Sequence, residues 1–143
     1  MNKLHKGGVV ILDFGSQYTQ LIARRIREQN VYSEILPPET AFNEILTREP
    51  AALILSGGPS SVYEKDAPDF DTHILDSELP TLGICYGLHL LAQHQGGVVE
   101  STGQGEYGFA EITAENEAGL LSDISWPSKV WMSHGDRVKH LPE

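Results

Sequence analysis

The chain has 143 residues, the length of one ordinary domain. With 40% hydrophobic and 21% charged residues it has the make-up of a globular protein, which excludes a disordered or fibrous chain. Twenty acidic residues against ten basic ones leave a formal charge of -10, so the basic footprint of a surface for nucleic acid or anionic membrane is missing. One cysteine cannot form an internal disulfide, so the fold does not depend on an oxidising compartment. The apolar run Val9–Leu12 follows Lys3 and Lys6 and is cut off by Asp13, too short for a signal segment or a membrane span. A soluble, cytoplasmic protein is expected. No Lys or Arg occurs between Asp66 and Ser128, a stretch that reads as a solvated acidic face interrupted by apolar runs.

In chain order, Gly8–Phe14 is short, β-branched and nearly continuous, as in a strand buried on both faces of a parallel sheet. Gly15-Ser16 breaks it. Tyr18–Gln29 then takes helical spacing, with Leu21, Ile22 and Ile26 on one stripe. Tyr32–Leu36 reads as a second strand stopped by Pro37-Pro38, and Thr40 as the cap of a short helix through Leu46. Ala51–Leu55 is a third strand, Phe70–Ser77 a short helix, and Leu79–Ile84 a fourth strand. Tyr86–Gln95 is a helix closed by Gly96-Gly97. Val98-Val99, Phe109–Thr113 and Lys129–Met132 read as shorter strands of a hairpin extension. Strands alternating with helices predict an α/β fold over residues 1–143, an open, mostly parallel sheet with helices on both faces.

Ligand crevices in such sheets lie beyond the carboxyl ends of the strands. Three motifs fall there: Asp13-Phe14-Gly15-Ser16, Ser56-Gly57-Gly58-Pro59 and Gly83-Ile84-Cys85-Tyr86-Gly87. The last has the form G-x-C-x-G between strand and helix, the thiol counterpart of a nucleophile elbow. Glycines flank the sharp turn where side chains would clash, and the turn sets the sulfur at a helix amino terminus, whose dipole favours thiolate. A buried structural cysteine is the plain alternative. The Tyr86 N–H, and the Gly58 N–H from the neighbouring strand end, are candidate donors to an oxyanion, although Gly-Gly-Pro by itself also suits a simple turn.

The segments G-I-C-Y-G-L-H-L-L-A (Gly83 to Ala92) and S-G-G-P-S-S-V (Ser56 to Val62) resemble the nucleophile segment and oxyanion strand of class I glutamine amidotransferases. I-L-D-F-G-S-Q-Y-T-Q-L-I-A-R-R-I-R-E (Ile11 to Glu28) and V-W-M-S-H-G-D-R-V (Val130 to Val138) narrow the resemblance to the glutaminase domains of GMP synthetases, over essentially the whole chain. The resemblance implies a flavodoxin-like sheet and a Cys85 thiolate attacking the side-chain amide of L-glutamine. It also implies an oxyanion held by the Gly58 and Tyr86 N–H groups. Gly58, Tyr86, His89, Ser133, Gly135 and Asp136 would touch the glutamine. The released ammonia would pass, in cis or in trans, to an ATP-pyrophosphatase (synthetase) domain that uses ATP and magnesium to convert xanthosine monophosphate to GMP. No cofactor is implied for this chain itself, and the histidine spacing is not of the zinc type. A homo-oligomer is compatible with the resemblance.

The chain departs from the family in three ways. The activating histidine and its glutamate lie in a Phe-His-Pro-Glu type segment beyond the region of Val130–Val138. His140-Leu141-Pro142-Glu143 matches the stretch before that segment, so carboxyl-terminal elements are expected to be missing and turnover by this chain alone to be slight or nil. An exposed sheet edge and apolar surface would follow. His89 stands where the family usually has Gln, and Gly105 where it tends to have Arg. His134 would line the substrate pocket, while His5, His73 and His94 carry no catalytic pattern. Two other readings compete: a non-catalytic relative that retains the thiol, and a flavodoxin-like cofactor binder using Gly15–Thr19 as a phosphate loop.

Overall fold

A computed structural model describes residues 7–143, so Lys3, His5 and Lys6 lie outside the described residues. The chain divides into two compact units, one of residues 7–99 and 138–143, the other Glu100–Arg137.

The first unit is built on four strands, β1 (Val9–Leu12), β2 (Ser33–Leu36), β3 (Ala52–Leu55) and β4 (Thr81–Gly83), paired in parallel in the order β2-β1-β3-β4. Register aligns Val10 with Leu53 and Leu12 with Leu55, so these four side chains share one face. They form a buried cluster with Ile45, Phe70, Ile74, Tyr86 and Leu90. Ile11 points to the opposite face and is also fully buried. That face is covered by helix α1 (Thr19–Glu28), whose contacts are with β1 and β2. Helices α2 (Phe42–Leu46) and α3 (Tyr86–His94) send Ile45, Tyr86 and Leu90 into the main cluster on the other face. The sheet is therefore parallel and covered on both faces, as expected from its continuous apolar strands.

Several local expectations are corrected. In α1 the buried stripe is Thr19 and Ala23, one turn apart, while Leu21 is exposed. Thr40 does not cap α2. Its hydroxyl donates to the Pro37 carbonyl at 2.7 Å, and the Asp71 carboxylate accepts from the Phe42 N–H at 2.9 Å. A distant residue thus takes the place of a local cap, which neighbouring sequence could not show. Phe70–Ser77 forms only a 3₁₀ turn, Thr72–Ile74. Asp71 accepts from the His73 N–H and Ser77 Oγ donates to the Ile74 carbonyl, so side chains compete there with helix propagation.

These contacts make Asp71 a testable latch. The Phe42 and His73 donors lower its carboxyl pKa from 3.8 to about 2, and Asp71 in turn raises His73 above 6.5. A depressed carboxyl contributes stability above pH 3.8 that is lost as pH falls through about 2. A raised imidazole contributes fully below pH 6.5 and loses its share as pH rises through its folded value. Local protection should therefore be greatest between those limits. The protection factor of the Phe42 amide, which is its exchange rate relative to the intrinsic rate at the same pH, should fall on either side, and Asp71→Ala should lower it throughout. An Asp71→Ala chain with unchanged exchange there would refute the latch.

The two long strands β5 (Val98–Ile112) and β6 (Ser128–His140) form a separate two-stranded sheet. This replaces the three short strands expected, in which the glycines of 103–108 read as turns. Pairing with β6 instead carries β5 through them. Within the second unit the strands run antiparallel: Arg137 Nη2 is 2.7 Å from Glu100 Oε1, and Thr102 Oγ1 donates to the Gly135 carbonyl at 3.0 Å. Among the described residues, no helix is long and apolar enough to cross a membrane.

Candidate active site

Cys85 lies between β4 and α3, at φ 49° and ψ -114°. A non-glycine residue there stores of order 1–3 kcal/mol of strain and persists only where its surroundings impose it. The surroundings do so. A side chain on Gly83 would come within 2.7 Å of the Leu88 backbone, and one on Gly87 within 2.7 Å of the Leu55 carbonyl carbon. The first turn of α3 is thereby pressed against β3 and β4. The Gly87 N–H donates to Ser56 O at 3.1 Å and Ile84 O at 3.0 Å, and the Ile84 N–H donates to Leu55 O at 2.9 Å. Only glycine on both sides allows the backbone so close. The bend presents Cys85 as an exposed, free thiol.

Ser56-Gly57-Gly58-Pro59 leaves the end of β3 beside this bend, and an ideal Cβ on Gly57 would lie 3.4 Å from the Cys85 Cβ. Gly58 is pressed so closely on the Phe14 carbonyl that a Cβ there would collide with it. Among the described residues, neither the Gly58 nor the Tyr86 N–H donates to a protein acceptor. Among the described residues, two unengaged amide donors thus belong to the elbow and to the strand end beside it. The Tyr86 side chain is an anchor: its ring is buried and tilted against Phe14 at 5.4 Å between centroids, and its hydroxyl donates to the Pro68 carbonyl. Burial, then Asp69 and Glu64, push this phenol up to about 12, so it stays a neutral donor. The sequence carries no sign that the Tyr86 side chain ties the elbow to the 68–70 loop.

The electrostatics of Cys85 correct one expectation. Although the residue as a whole is exposed, partial burial of its sulfur among residues of the same chain pushes the thiol above the ordinary range, against the easing expected at a helix amino terminus. Among the described residues, no imidazole bonds the sulfur. Alkylation of Cys85 by iodoacetamide should therefore climb about tenfold per pH unit through neutrality and still be rising past the ordinary thiol value of about 8.5. A plateau below pH 8 (roughly half a unit under that value) would show a thiolate already formed.

His89 is buried in α3, its N–H donating to Cys85 O at 3.0 Å. His94 bonds Asp69 at 2.9 Å and packs edge-on against Phe70, and His73 bonds Asp71, so both have structural partners. His140 is exposed at the end of β6. The Gly15–Thr19 segment is not open to a phosphate. Asp13 Oδ1 already accepts from the Gly15 N–H and Thr19 Oγ1, both at 2.9 Å, placing a carboxylate where the anion of a cofactor would sit.

Gly58, Cys85, Tyr86 and His89 belong to the first unit, and Ser133, Gly135 and Asp136 to the second. In the second unit, His134 lies between the Asp136 carbonyl, 2.8 Å from Nδ1, and Glu106, 3.1 Å from Nε2. The Gly135 carbonyl is held by Thr102, and the Tyr107 hydroxyl lies 3.8 Å from where a Gly135 Cβ would stand. Tyr107 also occupies the space above Gly105, which is where a larger residue would meet its ring.

A parallel sheet covered on both faces, with a cysteine elbow beside a Gly-Gly strand end, is an α/β architecture of the amidotransferase kind. The chain belongs to the class I glutamine amidotransferase family, whose model matches residues 10–143. More particularly, it is 50% identical over 98% of its length to the GMP synthase [glutamine-hydrolyzing] of Campylobacter lari, and 53% identical over 94% to that of Brachyspira hyodysenteriae. The chain spans 27% and 26% of those two relatives. The solved structure of a Thermoplasma acidophilum protein, described as one subunit of a GMP synthase, superposes with TM-score 0.84 at 27% identity, covering 97% of this chain and 70% of the other. A glutamine amidotransferase from Thermotoga maritima shares the fold at TM-score 0.70 and 22% identity, covering 96% of this chain and 64% of the other.

Proposed function

We propose that this chain is the ammonia-supplying part of a GMP synthetase, acting on L-glutamine through Cys85. The Cys85 sulfur attacks the side-chain amide carbon, and the carbonyl oxygen becomes an oxyanion facing the Gly58 and Tyr86 N–H groups. The carbon–nitrogen bond then breaks, and the nitrogen leaves as ammonia carrying the proton given up by the thiol. Water hydrolyses the thioester to glutamate and restores the thiol, so glutamine plus water yields glutamate plus ammonia. His89, in the same unit as the elbow, contacts the rest of the glutamine. The ammonia goes to an ATP-pyrophosphatase domain, in cis or in trans, where ATP and magnesium serve the amination of xanthosine monophosphate to GMP.

The observation that carries this reading is the positive-φ Cys85 on an elbow next to the β3 end, with the Gly58 and Tyr86 amides unengaged among the described residues. Removing one oxyanion donor typically costs about 2.7–4 kcal/mol of transition-state stabilisation, so a matched pair is a large share of such a barrier. The test is labelling with 6-diazo-5-oxo-L-norleucine, a glutamine-shaped electrophile. One adduct on Cys85, slowed by glutamine, is the expected result.

A second reading has its own support. A thiol pushed up by partial burial, with no imidazole bonded to it among the described residues, suits a relative that keeps the elbow but turns over little. Labelling that glutamine does not slow would favour this non-catalytic module. On that second reading the protein releases little ammonia from glutamine, and a turnover typical of enzymes, about 10 per second, would contradict it.

A further inference from the structure

Ser56 sits where four rim segments meet, and it is fully buried. Its N–H donates to the Leu12 carbonyl at the end of β1, at 3.1 Å, and its carbonyl accepts the Gly87 N–H of the elbow at 3.1 Å. Its hydroxyl oxygen accepts from the Phe14 N–H at 3.2 Å, lies 3.1 Å from Thr19 Oγ1, and donates to the Gly57 carbonyl at 3.1 Å.

The proton allocation is constrained. Thr19 has one hydroxyl proton, and the Asp13 carboxylate at 2.9 Å is its strongest acceptor, because a charged partner makes the stronger bond. Ser56 Oγ, at 3.1 Å, shares that proton, so with its lone pairs accepting from Phe14 and Thr19 the Ser56 hydroxyl donates to the Gly57 carbonyl. The Gly57 carbonyl and the Gly58 N–H belong to one planar peptide, so that bond directly fixes the direction of the Gly58 N–H. The chain Asp13–Thr19–Ser56 thus leads from a carboxylate at the rim to the oxyanion strand, and the Ser56 carbonyl ties the same residue to the elbow.

We propose that Ser56 is a positioning residue for the oxyanion pocket, its hydroxyl aiming the Gly58 amide and its carbonyl holding the Cys85 elbow in register with it. This inference rests on the glutaminase reading above. Misplacing a group by about 1 Å can cost on the order of 10²-fold in rate, so a loosened Gly57 peptide should have a measurable effect.

The full chain and its Ser56→Ala variant should be compared with two probes of the same sulfur. 6-Diazo-5-oxo-L-norleucine needs its carbonyl oriented: the sulfur bonds the terminal carbon, dinitrogen leaves, and the thiol proton ends on that carbon. Iodoacetamide needs only an accessible thiol, and the single cysteine makes both readouts unambiguous. Ser56→Ala should lower the limiting rate of diazoketone capture by roughly 10- to 100-fold. It should leave the half-saturating concentration and the iodoacetamide rate within about twofold, a small change beside a misplacement effect. Equal loss with both probes, or no loss with the diazoketone, overturns the inference. Thr19→Val, which removes the hydroxyl beside Ser56 from outside the elbow, should show a smaller loss of the same selective kind. If Ser56→Ala does not fold, an unchanged ratio of the two rates in Thr19→Val overturns the inference. A parent chain that the diazoketone does not label overturns the glutaminase reading, and this inference with it. A labelled parent with an indifferent Ser56→Ala overturns the inference alone.

Discussion

Replacing Gly87 with Ala should destabilise the chain by about 3 kcal/mol or more, at or above the upper end of ordinary overpacking. The added methyl would lie 2.7 Å from both the carbonyl carbon and the Cβ of Leu55, in the sheet's interior strand β3. A flexible side chain could swing away, but β3 is paired on both edges and cannot. Relief must come from lifting α3, which would break the Gly87 bonds to Ser56 and Ile84 and draw Tyr86 and Leu90 out of the core. Against a typical total of 5–15 kcal/mol this is a large fraction. Gly96→Ala is the matched control. It also sits at the end of α3, at φ 89°, but nothing lies within 4 Å of its missing side chain. Only the left-handed conformation then opposes it, at about 1–2 kcal/mol. Urea midpoints should rank parent, Gly96→Ala, Gly87→Ala, and a Gly87→Ala chain as stable as the Gly96→Ala chain would show that the helix is not pressed on β3.

The second large effect concerns Cys85, where activity and stability should move in opposite directions. Cys85→Gly should abolish capture of 6-diazo-5-oxo-L-norleucine, a loss beyond about 10²-fold, since the sulfur is the bond-forming atom. The same change should stabilise the fold. At φ 49° and ψ -114° a side chain costs roughly 1–3 kcal/mol, which glycine removes, while glycine adds about 0.5–1 kcal/mol of unfolded-chain entropy. A net gain of about 1 kcal/mol is expected from the difference between these costs. Cys85→Ala keeps the Cβ and so keeps the strain, and it should lose capture without the gain. A Cys85→Gly chain no more stable than Cys85→Ala would mean that the elbow is relaxed, and that the strained nucleophile is an incorrect description.

Much of the site is legible in the residues alone. G-x-C-x-G between a strand and a helix suits a sharp bend, because two glycines around a larger residue report on clashes that the fold must avoid. Gly83 and Gly87 bear this out through their approach to Leu88 and Leu55. The four parallel strands are legible for a similar reason, since burial on both faces demands unbroken apolar runs such as Val9–Leu12 and Ala52–Leu55.

Other features depend on partners far away in the chain. Asp71 caps α2 from 29 residues away, β5 runs through its glycines because β6 faces it, and Ser56 bonds Phe14 and Thr19 across 42 and 37 positions. The electrostatics of Cys85 belong to the same group, since a helix terminus is visible in sequence but the neighbours that desolvate a thiol are not. The sequence by itself determined the succession of strands and helices, the bend and the sulfur it carries, because each follows from residues adjacent in the chain. Only the tertiary structure decided which donors are unengaged, what holds them and how readily the thiol ionises, because these depend on atoms brought together by folding.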